Sequence, residues 1–70
     1  MDTPIIVRDP EIMSGTPVFR GTRVPLQNLI DYLKGGSSIE EFLDDFPSVS
    51  RDDALAVLEQ ANQIILAQVA

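Results

Sequence analysis

A change of local pattern near residue 23 divides this chain of 70 residues into two kinds of segment. Residues 1–23 hold three of the five prolines and two of the four glycines, together with short β-branched runs. This pattern predicts turns and short strands. Residues 24–70 carry three segments with helix signals. We therefore expect one domain over residues 1–70 that is mainly α: a strand and loop segment at 1–23, then three helices at 24–70.

Two short runs in the first segment have the residue types of β-strands. Residues 5–7 are β-branched and are stopped by Asp9-Pro10, and residues 17–20 follow a Ser-Gly-Thr turn. They predict a two-stranded hairpin or ribbon. Gly21 comes directly after the second run, so the backbone there can adopt a positive φ or pass close to another surface.

The three helices are indicated by their start and stop signals. The first begins at Val24-Pro25, with proline at the first helical position, and ends at Gly35-Gly36. The second begins at Ser38, where Glu41 completes a capping box, and Pro47 stops it. Ser50, with Asp53 three positions later, starts a third helix that neither glycine nor proline interrupts before Ala70. The predicted inward-facing residues are Leu26, Leu29, Ile30 and Leu33 in the first helix and Ile39, Phe42, Leu43 and Phe46 in the second.

Missing residue types exclude most enzymatic chemistry. The chain has no histidine and no cysteine, so the commonest general base, thiolate metal sites and disulfides are absent. The acidic pairs, such as Asp44-Asp45 and Asp52-Asp53, fit helix caps and solvated faces better than a cation site, which needs ligands that converge on a loop. We expect no catalytic residues, no cofactor and no metal. The N-terminus lacks a leader pattern and no apolar run is long enough for a membrane span, which predicts a cytoplasmic protein without membrane contact.

The charge of the chain argues against unspecific binding to nucleic acid. Five basic and eleven acidic residues give a net charge of −6, all of it within residues 24–70. Phosphate binding needs cations, and the first segment supplies three arginines. Of these, Arg20 and Arg23 flank Gly21-Thr22 and are able to grip phosphates or a carboxylate together. Pairing with acidic residues of the same chain is the alternative that the sequence favours.

The corner between the second and third helices has the spacing of a helix-turn-helix unit. Only residues 46–49 separate the two helices. The second helix of such a unit presents its first residues to DNA bases, and here these are Arg51, Asp52 and Asp53. The carboxylates would repel phosphates, so we expect any DNA contact to centre on the bend. The candidate nucleic-acid-binding residues are Arg20, Thr22, Arg23 and Arg51.

The end of the third helix is apolar and uncharged. At about 20 residues the helix would be roughly 30 Å long, about twice the length of the first two. No charged residue follows Glu59. Two interpretations stay open: this end packs on the chain's own N-terminal strands, or it lies in a homodimer or against a partner protein. The candidate interface residues are Leu58, Ile64, Ile65, Leu66 and Val69.

These residues together resemble a known family. The most specific run is IMSGTPVFRGTRVP at residues 12–25, and the later matches are Gly36, residues 38–42, Phe46-Pro47 and Ser50. The chain is similar to domain-of-unknown-function family 433, the VapB-type antitoxin-like family, over about residues 5–62. The resemblance implies a homeodomain-like or winged-helix-like helix-turn-helix domain with an N-terminal β element. It also implies an antitoxin that binds a PIN-like ribonuclease toxin and, as a dimer, its own operator DNA. The alternative is a protein-interaction or dimerisation module that does not bind DNA.

Overall fold

Three helices and a short antiparallel hairpin make up the fold. The computed structural model describes residues 4–69. Strand β1 (Ile6–Val7) pairs with β2 (Val18–Phe19), with Ile6 opposite Phe19 and Val7 opposite Val18. The helices are α1 (Leu26–Lys34), α2 (Ile39–Asp45) and α3 (Arg51–Gln68). The predicted class, mainly α with an N-terminal hairpin, is confirmed.

The core lies between the hairpin and the three helices, and aromatic rings fill its centre. Phe42 of α2 is fully buried. Its ring centroid lies 6.0 Å from that of Phe19, 5.5 Å from that of Tyr32 and 5.1 Å from that of Phe46. The buried cluster consists of Phe19, Val24, Leu29, Phe42, Val49, Ala54 and Val57. Each helix and β2 therefore contribute to one small core.

The helix starts follow the predicted caps. The backbone N–H of Glu41 donates to Ser38 Oγ at 3.1 Å, and Glu41 Oε1 accepts the backbone N–H of Ser38 at 2.9 Å, which completes the capping box. Ser50 Oγ accepts the backbone N–H of Asp53 at 3.0 Å. These bonds satisfy N–H groups that have no partner within a helix.

The start of α1 differs from the prediction. Pro25 is not the first helical residue, because its backbone is extended (φ −64°, ψ 142°) and forms a bridge with Val18. The backbone N–H of Leu26 donates to the carbonyl of Pro17 at 3.1 Å. Pro25 therefore lies alongside β2, and the helix begins at the next residue. The prediction for Leu33 is also wrong, since this residue is 36% exposed near the end of α1.

A left-handed turn between the strands was not predicted in detail. Met13, Ser14 and Gly15 form a single 3₁₀ turn with φ values of 49°, 58° and 85°. Positive φ costs a non-glycine residue about 1–2 kcal/mol. Thr16 offsets part of this cost, because its backbone N–H and its hydroxyl both donate to the carbonyl of Met13, at 3.2 and 2.7 Å.

Helix α3 is much longer than its neighbours. It has 18 residues, whereas α1 has 9 and α2 has 7. Its buried residues, Ala54 and Val57, lie in its first half, and residues 59–69 are all exposed. The second half therefore extends beyond the domain. Within residues 4–69 no helix combines the length and the apolar character that a membrane crossing requires.

Candidate interaction surfaces

The bend after β2 is held by its own backbone and by one hydroxyl. Gly21 has a φ of 72°, and a Cβ at this position would meet no atom within 4 Å. The left-handed conformation, rather than a close approach, is therefore what requires glycine. Thr22 Oγ1 donates to the carbonyl of Phe19 at 2.8 Å and accepts the backbone N–H of Val24 at 3.0 Å. The hydroxyl of Thr22, a predicted nucleic-acid contact, thus stabilises the bend itself.

Arg20 points from this bend to the start of α3. Its Nε donates to Asp53 Oδ2 at 3.2 Å and its Nη2 donates to Asp53 Oδ1 at 2.9 Å. The Asp53 side chain is only 16% exposed, so the pair is partly shielded from water. Arg20 therefore forms an ion pair within the chain, as the sequence favoured. The alternative was that Arg20 and Arg23 bind a phosphate together.

Arg23 has a different environment on the same bend. It is exposed and lines an open groove of about 440 Å³ together with Ile12, Gly21, Thr22 and Ser48. Among the residues that the structure describes, Arg23 takes part in no ion pair. Arg23 is thus an exposed cation on this bend.

Arg51, at the first position of α3, is paired with α2. Its Nη1 donates to Glu40 Oε1 at 2.7 Å, and Nη2 contacts Glu40 Oε2. Both side chains are more than half exposed. The hydrogen bond and the charge of Glu40 raise the pKa of Arg51 above its ordinary value. The positive charge that was predicted to face DNA is thus next to a carboxylate, as Arg20 is.

Another acidic side chain binds the single tyrosine. Tyr32 Oη donates to Asp45 Oδ2 at 2.5 Å across α1 and α2. This hydrogen bond and the nearby negative charge raise the pKa of Tyr32 above its ordinary value. Residues 4–69 contain no group of three acidic side chains close enough together to hold a metal ion.

The end of α3 exposes large apolar side chains. Ile64, Ile65, Leu66 and Val69 are between 59% and 68% exposed. No charged residue lies among residues 60–69. The interpretation in which this end packs on the N-terminal strands is wrong for residues 59–69, because the helix continues straight past the small core. Leu58 differs from the other predicted interface residues, since it is half-buried and packs against the domain's own core.

Sequence comparisons match the chain to a relative and to a family model. It is 40% identical over 48 residues to "Uncharacterized protein y4eO" of Sinorhizobium fredii (strain NBRC 101917 / NGR234). The match covers 69% of this chain but only 22% of that relative's length. No solved structure gives a significant match. The profile of the family described as "Protein of unknown function (DUF433)" matches residues 6–61, from β1 to the middle of α3, and the chain therefore belongs to the DUF433 family.

Proposed function

We propose that this chain works by binding other protein chains through the end of α3, as the antitoxin-like component of a toxin–antitoxin pair. In this proposal it is a homodimer, its protein partner is a PIN-like toxin, and it acts in the cytoplasm. The toxin comes from the antitoxin-like resemblance, which is most specific at residues 12–25 and covers nearly the whole chain. The cytoplasmic location rests instead on the lack of an apolar run long enough for a membrane span.

The observation that carries the proposal is the exposed apolar end of α3. Ile64, Ile65 and Leu66 are consecutive in α3 and Val69 is its C-cap, and each of the four is more than half exposed. Contiguous apolar surface of this kind is characteristic of protein interfaces. A helix segment that leaves its own domain is also marginal in water, because isolated helices of this length gain little from their own hydrogen bonds. A partner chain supplies the missing burial.

Operator DNA is the second partner that we propose, and this part rests on one exposed arginine, Arg23. This guanidinium is exposed at the edge of the groove formed by Ile12, Gly21, Thr22 and Ser48. Two copies of the domain would present two such arginines. The remaining cations near the bend and at the start of α3 are paired with carboxylates, so a modest DNA affinity with a shallow salt dependence follows from the proposal.

Co-expression with the product of the neighbouring gene tests the protein-binding part. A tagged wild-type chain is expected to retain that product through purification, and the double variant Ile64→Asp/Leu66→Asp is expected to lose it. Leu33→Asp is the matched control, because Leu33 is an exposed leucine on α1, away from the end of α3. A complex that survives the double variant, or no complex with wild type, contradicts the proposal. If the complex forms but the protein does not bind DNA, the result supports the alternative, a protein-interaction module.

A further inference from the structure

One side of α3, exposed except at the half-buried Leu58, carries a seam with the spacing of a coiled coil. Leu55, Leu58, Asn62, Ile65 and Val69 follow one another at intervals of three and four residues, which is the heptad pattern of positions a and d. We define these five residues as the α3 seam. At 3.6 residues per turn they lie within about 80° of one another around the helix axis. Leu55 is 45% exposed and Ile65 60% exposed, so much of the seam has no cover from its own domain.

From this surface we propose that a second copy of the chain covers the α3 seam, with the two helices side by side and parallel. The inference deepens the proposed function, and it rests on that function only for the expectation of a homodimer. A seam of this kind is self-complementary, because a two-fold axis along the helices brings each residue opposite its own copy.

Asn62 is the residue that favours the parallel arrangement. In a parallel pair the two Asn62 amides meet at one level, and each is able to donate to and accept from the other. In an antiparallel pair the a positions face d positions, so Asn62 faces Leu58 or Ile65 of the second copy. An amide that is buried against leucine or isoleucine without a partner is destabilising. A single asparagine at an a position is a known determinant of register and orientation.

Charge opposes a second copy less at the seam than elsewhere on the chain. The chain carries a net charge of −6, so two copies repel each other over most of their surfaces. The seam beyond Glu59 has no charge, and Glu59 lies at the flanking e position. In a parallel pair the two Glu59 side chains lie on opposite sides of the seam. The face on which two acidic chains approach with least repulsion is therefore the one with the apolar heptads.

The length of the seam sets the strength of the association. From Leu55 to Val69, the C-cap of α3, the seam runs for about 21 Å, or two heptads. Stable coiled coils generally use three or four heptads or more, so we expect a dimer that dissociates on dilution. Helix content of the overhanging segment should rise together with dimerisation, since the isolated segment is marginal.

Two neighbouring isoleucines provide a matched test of which side of α3 contacts the second copy. Ile64 and Ile65 are 59% and 60% exposed, but Ile64 lies about 140° from the centre of the seam. The chain has no cysteine, so Ile65→Cys and Ile64→Cys each introduce a single thiol. Under mild oxidation Ile65→Cys is expected to form a disulfide-linked dimer at least about tenfold faster than Ile64→Cys. Equal rates, or no linkage at position 65, would overturn the proposal.

The relative orientation of the two α3 helices is tested with a mixture of two single-cysteine variants. Leu55→Cys with an affinity tag is mixed with untagged Ile65→Cys and oxidised. The parallel pair gives only links between like chains, because these two positions are about 15 Å apart along the axis. An abundant mixed link indicates the antiparallel pair and overturns the parallel assignment.

Isosteric amide-to-acid changes then test Asn62 without disturbing the core. Asn62→Asp places two carboxylates opposite each other, whereas Gln60→Glu adds the same charge on the far side of the helix. Sedimentation is expected to show a dimer dissociation constant raised at least about tenfold by Asn62→Asp and little changed by Gln60→Glu. Equal effects of the two changes overturn the role of Asn62. A chain that retains the toxin but never self-associates overturns the seam and the homodimer and leaves toxin binding standing. A dimer that binds no toxin overturns toxin binding and leaves the seam standing.

Discussion

Arg20 and Asp53 join the bend after β2 to the first turn of α3 through two hydrogen bonds, of 3.2 and 2.9 Å. Asp53 has two roles there, because its backbone N–H is also capped by Ser50. In a full capping box the third helical residue is Glu or Gln, whose side chain reaches back to the N-cap. The shorter Asp53 side chain instead binds Arg20, so the hairpin and the longest helix are fixed to each other.

Loss of either partner of this ion pair should destabilise the domain. We expect Arg20→Ala and Asp53→Ala each to lower the free energy of unfolding by about 1–2 kcal/mol, because the pair is partly shielded and hydrogen-bonded at two points. The double variant should cost less than the sum of the two single changes. Urea unfolding measures all three, with Arg51→Ala, from an exposed pair, as a control near wild type. Strict additivity of Arg20→Ala and Asp53→Ala would contradict the account.

The helix caps make a second prediction about stability. Ser38→Ala and Ser50→Ala should each lower the free energy of unfolding by about 1 kcal/mol, because each leaves a backbone N–H in the first turn without its side-chain acceptor. Ser48→Ala is the control, since Ser48 is exposed and lies in the loop between α2 and α3. Thermal or urea unfolding gives the comparison, and a cap variant as stable as Ser48→Ala would be inconsistent with the observed caps.

The single tyrosine should titrate at unusually high pH. Its hydrogen bond to Asp45 raises the pKa of Tyr32, and the ordinary pKa is about 10. Because the raised pKa favours the neutral phenol in the folded state, this contribution to stability is complete below about pH 10. It is lost as the pH rises through the folded-state pKa.

Ultraviolet absorbance of tyrosinate reports Tyr32 alone, since the chain has one tyrosine and no tryptophan. Asp45→Asn should lower the pKa of Tyr32 towards its ordinary value, because it replaces the charged acceptor of the phenol's hydrogen bond by a neutral amide and removes the nearby negative charge. Asp44→Asn, the adjacent exposed change, should leave it near the wild-type value. Identical titrations of wild type and Asp45→Asn would exclude this explanation.

DNA binding should depend on Arg23 without a cost in stability. Arg23 is exposed, so Arg23→Ala should leave the free energy of unfolding within about 0.5 kcal/mol of wild type. In a gel-shift assay on the region upstream of its own gene, Arg23→Ala should weaken binding and Arg8→Ala, which removes the same charge elsewhere, should not. Arg20→Ala is a poorer test because it also breaks the pair with Asp53. Absence of any shift at low salt would remove DNA from the proposal.

The elements of the fold were predictable because their signals are local. Ser38 with Glu41, Ser50, and the glycines after Lys34 mark helix ends through bonds that span only a few residues. Pro25 was misplaced because a contact with Val18, made across the bend, keeps it extended. The partner of Arg20 is 33 positions away, and eight acidic residues follow the bend, so the sequence favoured an internal pair without identifying Asp53. The left-handed turn at Met13 has no clear local signal beyond Ser14-Gly15.

Sedimentation equilibrium over a wide concentration range tests the central claim, that the α3 seam binds another chain, most directly. The wild-type mass should rise from the monomer value of 7.7 kDa towards twice that value. Ile65→Asp should remain a monomer with an unchanged melting temperature, because Ile65 is outside the core, and Ile64→Asp should still dimerise. A wild-type chain that stays at the monomer mass at every concentration, or an Ile65→Asp chain that dimerises as well as wild type, would contradict the account.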